Sequence, residues 1–187
     1  VDNVSYGKLP IDVTVALDVS YSVTGSVLER LRRAAGQFMH DLGRQDRLKL
    51  MLFNMRVTRI VDFTSDADAV DRAIRTATAG GGTALLDAIS VALVSASTPD
   101  RRQLIVFFTD GNDSSSVTAP QTLTSVAQRT RGTLTFVMPA LPHPIRRALA
   151  TGSASPQSLR PLAPVLSAIA VETGGSVLPV DEYTDLT

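Results

Sequence analysis

Five short apolar runs, each the length of one β-strand, constrain the fold of this chain most. They are Ile11 to Leu17, Leu48 to Phe53, Leu104 to Phe108, Thr133 to Met138 and Ser176 to Val180. Segments with apolar residues at helical spacing separate most of them. Near-continuous apolar strands that alternate with helices are typical of parallel sheets, in which each crossover needs a covering helix. The sequence therefore predicts an α/β fold with three layers: a doubly wound, mostly parallel sheet with helices on both faces.

One pair of strands departs from that pattern. Only three residues separate the run Leu48 to Phe53 from the alternating segment Val57 to Phe63, which predicts a hairpin and one antiparallel edge strand. Apolar periodicity and stop signals predict helices over the ranges 27–42, 65–76, 84–97, 120–131 and 162–173. Ser65, with Asp68 three residues later, resembles a capping box at the start of the second of these helices.

The 187 residues are expected to form a single domain, with a core of about 11–180. Six of the ten prolines fall between Pro139 and Pro164, so the stretch of about 139–161 is predicted to be an insertion. The chain begins with Val1 and shows no charged-then-apolar leader. Any targeting segment is therefore expected to lie outside this sequence.

Charge and composition exclude several classes of function. Eighteen Lys and Arg balance eighteen Asp and Glu, and no cluster of basic residues stands out, so nucleic acid is not expected as a partner. The absence of cysteine excludes disulfides, thiolate metal sites and cysteine nucleophiles. No apolar run approaches the roughly 18 residues of a membrane-spanning helix.

Oxygen-bearing side chains gather where predicted strands end. Because the carboxyl ends of parallel strands share one edge of a sheet, three loops are expected to meet there. They contribute Asp18, Ser20 and Ser22 from DVSYS, Thr83 from GGGTALLDA, and Asp110 from TDGND. Hydroxyls and carboxylates without His or Cys favour Mg²⁺, with Mn²⁺ or Ca²⁺ possible, over zinc or copper. We predict a metal site formed by these five residues.

These three motifs, in this order, resemble those of the von Willebrand factor type A domain family, over roughly residues 11–180. The resemblance implies a Rossmann-like fold and a metal-ion-dependent adhesion site, whose D-x-S-x-S motif, distant Thr and later Asp correspond to the five residues above. It also implies that the three hydroxyls bind the ion directly while the two Asp residues often act through water. Tyr21 stands where many relatives have Gly, and the chain stops where relatives usually enter a last helix, so that helix is expected to be truncated.

Other residues near these motifs are candidates for the rim or the surroundings of the site. They are Tyr21, Gly82, Asp87, Gly111 and Asn112. Thr83 is also a plausible N-cap of the following helix, and Asp87 either orients Thr83 or Ser22 or simply favours the positive end of that helix. Four further acids form a patch that is either a solvated helix start or an additional Ca²⁺ site: Asp62, Asp66, Asp68 and Asp71.

The leading hypothesis for function is a non-enzymatic adhesion module. An ion held mainly by neutral hydroxyls keeps much of its charge, so an incoming Asp or Glu of a protein partner would complete its coordination. One alternative is a Mg²⁺-dependent phosphoryl-transfer enzyme with Asp18 as nucleophile; another is an intracellular assembly subunit that works with an ATPase. The usual location of members of the family that the motifs resemble favours a location outside the cytoplasm: secreted, at the cell surface or in the periplasm.

Overall fold

The computed structural model of the protein describes residues 9–95, 100–140 and 162–180. The predicted insertion, apart from its first two residues, and the predicted truncated last helix lie outside the described residues. So does the end of the helix that was predicted to reach residue 97.

The strands follow the apolar runs. They are β1 (Ile11–Asp18), β2 (Arg47–Phe53), β3 (Val57–Thr64), β4 (Arg102–Phe108), β5 (Thr133–Pro139) and β6 (Val177–Val180). Their order in the sheet is β3-β2-β1-β4-β5-β6, and only the β2–β3 pair is antiparallel. The predicted fold class is confirmed, including the hairpin and its antiparallel edge strand.

Five helices cover the described sheet. They are α1 (Ser26–His40), α2 (Ala67–Thr76), α3 (Leu85–Val94), α4 (Pro120–Ala127) and α5 (Ala163–Glu172). One buried cluster joins α1 and α2 to the face of β1 that carries Val13, Val15 and Leu17. A second joins α3, α4 and α5 to the face that carries Ala16. Because side chains alternate along a strand, Asp12 and Asp18 belong to the same row as Ala16, at its two ends.

Helix ends were predicted less well than strands. The prediction of a capping box at Ser65 is wrong, because Asp66 is the N-cap of α2 and accepts a hydrogen bond from Ala69 N at 2.9 Å. Thr83 is not the N-cap of α3 either; that position is Ala84, which offers no side-chain acceptor. The helix α4 ends at Ala127, four residues before the predicted end, in a series of turns.

Candidate metal centre

The strand order places the candidate site at the centre of the sheet. From β1 the chain proceeds to β2 on one side, whereas β4 lies on the other, so the loops after β1 and β4 diverge around a crevice. Asp18 is the last residue of β1, and Thr109 directly follows β4. Both side chains are fully buried. The crevice at this switch point is therefore lined by a carboxylate and a hydroxyl.

Asp18 is a buried acid whose partners are neutral. Its Oδ1 accepts a hydrogen bond from Ser20 N at 2.9 Å, and its Oδ2 accepts one from Thr109 Oγ1 at 2.7 Å. Burial raises the pKa of Asp18 to about 6 against these hydrogen bonds, and the negative charge of Asp110 adds to the rise. Within the described ranges no Lys, Arg or His forms an ion pair with this carboxylate.

Ser20 and Ser22 bring their hydroxyls together. After Asp18 the chain enters a 3₁₀ turn, Tyr21–Val23, with Ser20 in extended conformation just before it. This turn places Ser20 Oγ and Ser22 Oγ 3.0 Å apart. Ser20 is buried and Ser22 is exposed, so the pair leads from the crevice to the surface. Tyr21, between them, is 71% exposed.

The glycine-rich loop is attached to this turn by its backbone. Gly80 N donates to Val19 O at 2.7 Å, and Tyr21 N donates to Gly81 O at 2.9 Å. Gly81 has a φ of 80°, a conformation that side chains other than hydrogen disfavour. The loop delivers Thr83 in a buried position, 3% exposed, two residues before the start of α3. The second predicted motif thus lies beside the first.

Asp110 is held at the third loop. Asn112 binds both of its oxygens, with its backbone N at 3.0 Å from Oδ1 and its Nδ2 at 3.0 Å from Oδ2. Gly111 N donates to Thr109 Oγ1 at 3.1 Å, so the threonine that contacts Asp18 also shapes the turn around Asp110. Sequence reasoning missed Thr109. Its position between a buried strand and an acid, in the motif TDGND, was the signal available.

A second connection, also missed, joins the Asp110 loop to the Thr83 loop. Thr83 N donates to Ser114 Oγ at 2.9 Å, and Thr83 O accepts from the backbone N of both Ser114 and Ser115, at 2.9 Å each. A Cβ on Gly82 would lie 2.4 Å from Ser115 Oγ, so any larger residue at this position would have to displace that hydroxyl. The three loops therefore form one hydrogen-bonded unit.

The same loop caps α3 from a distance. Asp113 Oδ2 accepts from Leu86 N at 3.0 Å, and Ser116 Oγ accepts from Asp87 N at 3.1 Å. Asp87 accepts from Val117 N and Thr118 N rather than binding Thr83 or Ser22. Burial alone would raise the pKa of Asp87, but the hydrogen bonds from residues 118 and 117 outweigh it and lower the pKa. Asp87 thus fastens the loop to α3.

The donor set fits a hard cation better than a soft one. Two ligands at right angles in an octahedral Mg²⁺ site lie about 3.0 Å apart, given a metal–oxygen distance of about 2.1 Å. The two serine hydroxyls have that separation. In the described part of the chain no three His, Cys, Asp or Glu residues form a group that could hold a metal. A cation site here would depend on hydroxyls and two carboxylates, as the sequence predicts.

The acidic patch is occupied by local contacts. Asp66 caps α2, Asp71 accepts from Arg75 Nε at 2.7 Å, and Asp62 accepts from Phe63 N at 2.9 Å. Asp68 lies in the first turn of α2, where its charge is favourable. These contacts favour the solvated helix start over an additional calcium site.

The sheet order and the polar crevice together define a doubly wound α/β domain with its candidate site at the switch point. The family model of the von Willebrand factor type A domain matches residues 13–112, more than half of the chain. The chain belongs to the von Willebrand factor type A domain family.

A curated relative and two solved structures illustrate the resemblance. The uncharacterized protein sll0103 of Synechocystis is 29% identical over 110 residues, which cover 57% of this chain and 26% of that protein. This chain thus matches about a quarter of its relative's length. An aerotolerance-related membrane protein from Bacteroides fragilis has a TM-score of 0.68 at 20% identity, covering 92% of both chains. Proximal thread matrix protein 1 of the mussel byssus, with a zinc-occupied MIDAS motif, has a TM-score of 0.67 at 14% identity, covering 91% of this chain and 41% of that one. These two likenesses show the fold.

None of the helices in the described residues combines the length and the apolar character that crossing a bilayer requires.

Proposed function

We propose that this domain captures an acidic side chain of a protein partner through a divalent cation, most simply Mg²⁺. In this proposal Ser20, Ser22 and Thr83 hold the ion by their hydroxyls, and Asp18 and Asp110 hold it directly or through water. The ion supplies positive charge and an open coordination position for the partner's carboxylate. The role is binding, without catalysis.

One observation carries the proposal. Asp18 is fully buried, yet the groups that contact it are hydroxyl and amide donors, and Asp110 adds a second negative charge. Burying a carboxylate without a cation is costly. A metal at this position would supply the missing positive charge, and the neighbouring pair of serine hydroxyls would supply further ligands.

Calorimetry with Mg²⁺, Mn²⁺, Ca²⁺ and Zn²⁺ tests the ion. Zinc is included because the mussel protein carries it in this motif. We expect Asp18→Ala and Thr83→Val to abolish or strongly weaken binding of the preferred ion. Asp68→Asn, which removes an exposed acid of α2, is the matched control and should leave the affinity unchanged. Unchanged affinity in Asp18→Ala, with a native circular dichroism spectrum, would refute the site.

Capture of a carboxylate can be tested without knowing the partner. When Mn²⁺ is bound, water in its open position enhances proton relaxation, and acetate should displace that water and lower the enhancement. Acetamide, which has the same shape without the charge, is the control. An equal response to acetate and acetamide, or no response to either, would contradict carboxylate capture.

The phosphoryl-transfer alternative has less support. Both oxygens of Asp18 accept hydrogen bonds, and the side chain is fully buried, which does not favour in-line attack on a phosphate. Lys49 lies in the middle of β2 with its Nζ 4.4 Å from the centroid of Phe63, away from the crevice. We expect no Mg²⁺-dependent hydrolysis of p-nitrophenyl phosphate. Turnover that disappears in Asp18→Asn would favour the phosphoryl-transfer function over carboxylate capture.

A location outside the cytoplasm remains part of the proposal. Its support is the usual location of family members and the description of the similar Bacteroides fragilis structure as a membrane protein.

A further inference from the structure

Two large apolar side chains are exposed beside the candidate metal centre. Tyr21 is 71% exposed and Met55 is 61% exposed. Tyr21 lies between the two serines that form the hydroxyl pair. Its neighbours Val19 and Val23 are buried, so the local chain supplies apolar residues to the core without it. In the part of the chain that the structure describes, the core therefore does not depend on the Tyr21 ring.

Met55 reaches the same place from another part of the chain. It occupies the tight β2–β3 turn, where polar residues and glycine are usual. Asn54 attaches that turn to the glycine-rich loop: its Nδ2 donates to Gly80 O at 2.8 Å, and its O accepts from Ala84 N at 2.7 Å. These bonds fix where the methionine lies.

Gly81 is close to both residues. Its carbonyl accepts from Tyr21 N, and a Cβ built on it would lie 3.3 Å from Met55 Sδ. Tyr21 and Met55, called here the apolar rim, therefore flank one loop at the edge of the crevice. Tyr and Met are enriched at protein interfaces, and a thioether adapts to varied apolar surfaces.

We infer that the apolar rim selects the partner: the captured Asp or Glu is flanked in the partner's chain by an apolar or aromatic side chain that packs on Tyr21 and Met55. The inference rests on the proposed function, since the captured carboxylate anchors the partner's chain and the apolar rim contacts the side chain next to that carboxylate. An acidic residue flanked by charged or small polar residues would gain nothing from this surface.

A displayed peptide library with one fixed Glu and randomised flanking positions tests the inference. The library is bound to the domain in Mg²⁺ and eluted with EDTA. We expect apolar and aromatic residues to be enriched next to the Glu, and the best peptide to bind about fivefold more weakly when its flanking residue is changed to Ser. Replacing the Glu by Gln should abolish binding.

The variant Tyr21→Ser/Met55→Ser should erase the flanking preference and keep the dependence on Glu and Mg²⁺. Val171→Ser is the matched control, because Val171 is also 71% exposed but lies on α5. Peptides that need Glu and Mg²⁺ but show no flanking preference, or keep it in the double variant, would overturn the inference and leave the proposed function standing. Peptides that stay bound in EDTA, or no Glu-dependent peptides, would overturn both.

Discussion

The two ends of β1 carry the same residue in opposite surroundings. Asp12 and Asp18 are both fully buried and belong to the same row of side chains. At the amino end, Asp12 accepts two hydrogen bonds from Arg47, at 2.9 and 2.6 Å, and another from Arg101. At the carboxyl end, Asp18 has hydroxyl and amide partners. One acid is neutralised by two arginines of the fold, whereas the other has no cationic partner among the described residues.

The electrostatics of the two acids differ accordingly. Burial alone would raise the pKa of Asp12, but the hydrogen bonds and charges of Arg47 and Arg101 outweigh it and lower the pKa. Burial raises the pKa of Asp18 to about 6. The fold gains from the charge of Asp12 and loses from the charge of Asp18. A buried acid whose charge costs stability, at the switch point of the sheet, is typical of a functional group.

The largest expected effect comes from removing the structural acid. Asp12→Ala leaves Arg47 and Arg101 without the carboxylate that joins the starts of β1 and β2 to the segment before β4. We expect a loss of about 3 kcal/mol of unfolding free energy, at the lower end for a buried ion pair because Arg47 is 37% exposed. Urea denaturation in EDTA measures it.

The matched substitution at the other end, Asp18→Asn, should not destabilise the metal-free protein. An asparagine keeps the acceptor for Ser20 N and removes the buried charge. The comparison between the two acids would fail if Asp18→Asn lost as much stability as Asp12→Ala in EDTA.

The sequence predicted the strands better than the helix ends, and the reason is physical. A strand such as Leu104 to Phe108 is buried on both faces, so its apolar run marks it locally. The start of α3 depends on Asp113 and Ser116, which approach it from 27 and 29 residues away. No local pattern contains such a cap.

In the candidate site, too, the sequence predicts the features that a local motif marks and misses those that depend on contacts between distant residues. The order of its motifs could be read from Asp18, Thr83 and Asp110, but the residues that hold them in place could not. Thr109 looks like the end of a strand until the fold brings it to Asp18. Met55 belongs to a predicted hairpin turn, and its place beside the site appears only in the fold, where Asn54 fastens that turn to the glycine-rich loop.

An intermediate effect should appear in the pH dependence of stability. The folded pKa of Asp18, about 6, lies above its ordinary value of 3.8, so its contribution to metal-free stability falls as pH rises from about 4 to about 6. Asp12, whose folded pKa is lowered, loses its contribution only as pH falls below the ordinary value. The two acids therefore act in separate pH windows.

Urea denaturation of the wild type and of Asp18→Asn, both in EDTA, measures how much Asp18 changes the stability in its own pH window. The stability of the wild type relative to the variant should fall by roughly 2 kcal/mol between pH 4 and pH 6.5. A constant difference across that range would mean that Asp18 titrates as an ordinary acid and that its burial carries no electrostatic cost.

The smallest expected effect comes from the hydroxyl of Thr109, which contacts Asp18. Thr109→Val removes the donor to Asp18 Oδ2 and the acceptor of Gly111 N, and should cost about 1 kcal/mol of stability. Because Thr109 orients a proposed ligand without being one, we also expect Mg²⁺ affinity to fall by about tenfold. Thr109→Ser keeps the hydroxyl and should recover most of the affinity while losing only a buried methyl group. If the valine and serine variants bound Mg²⁺ equally, Thr109 would be a packing residue, and Asp18 would hold its position through Ser20 alone.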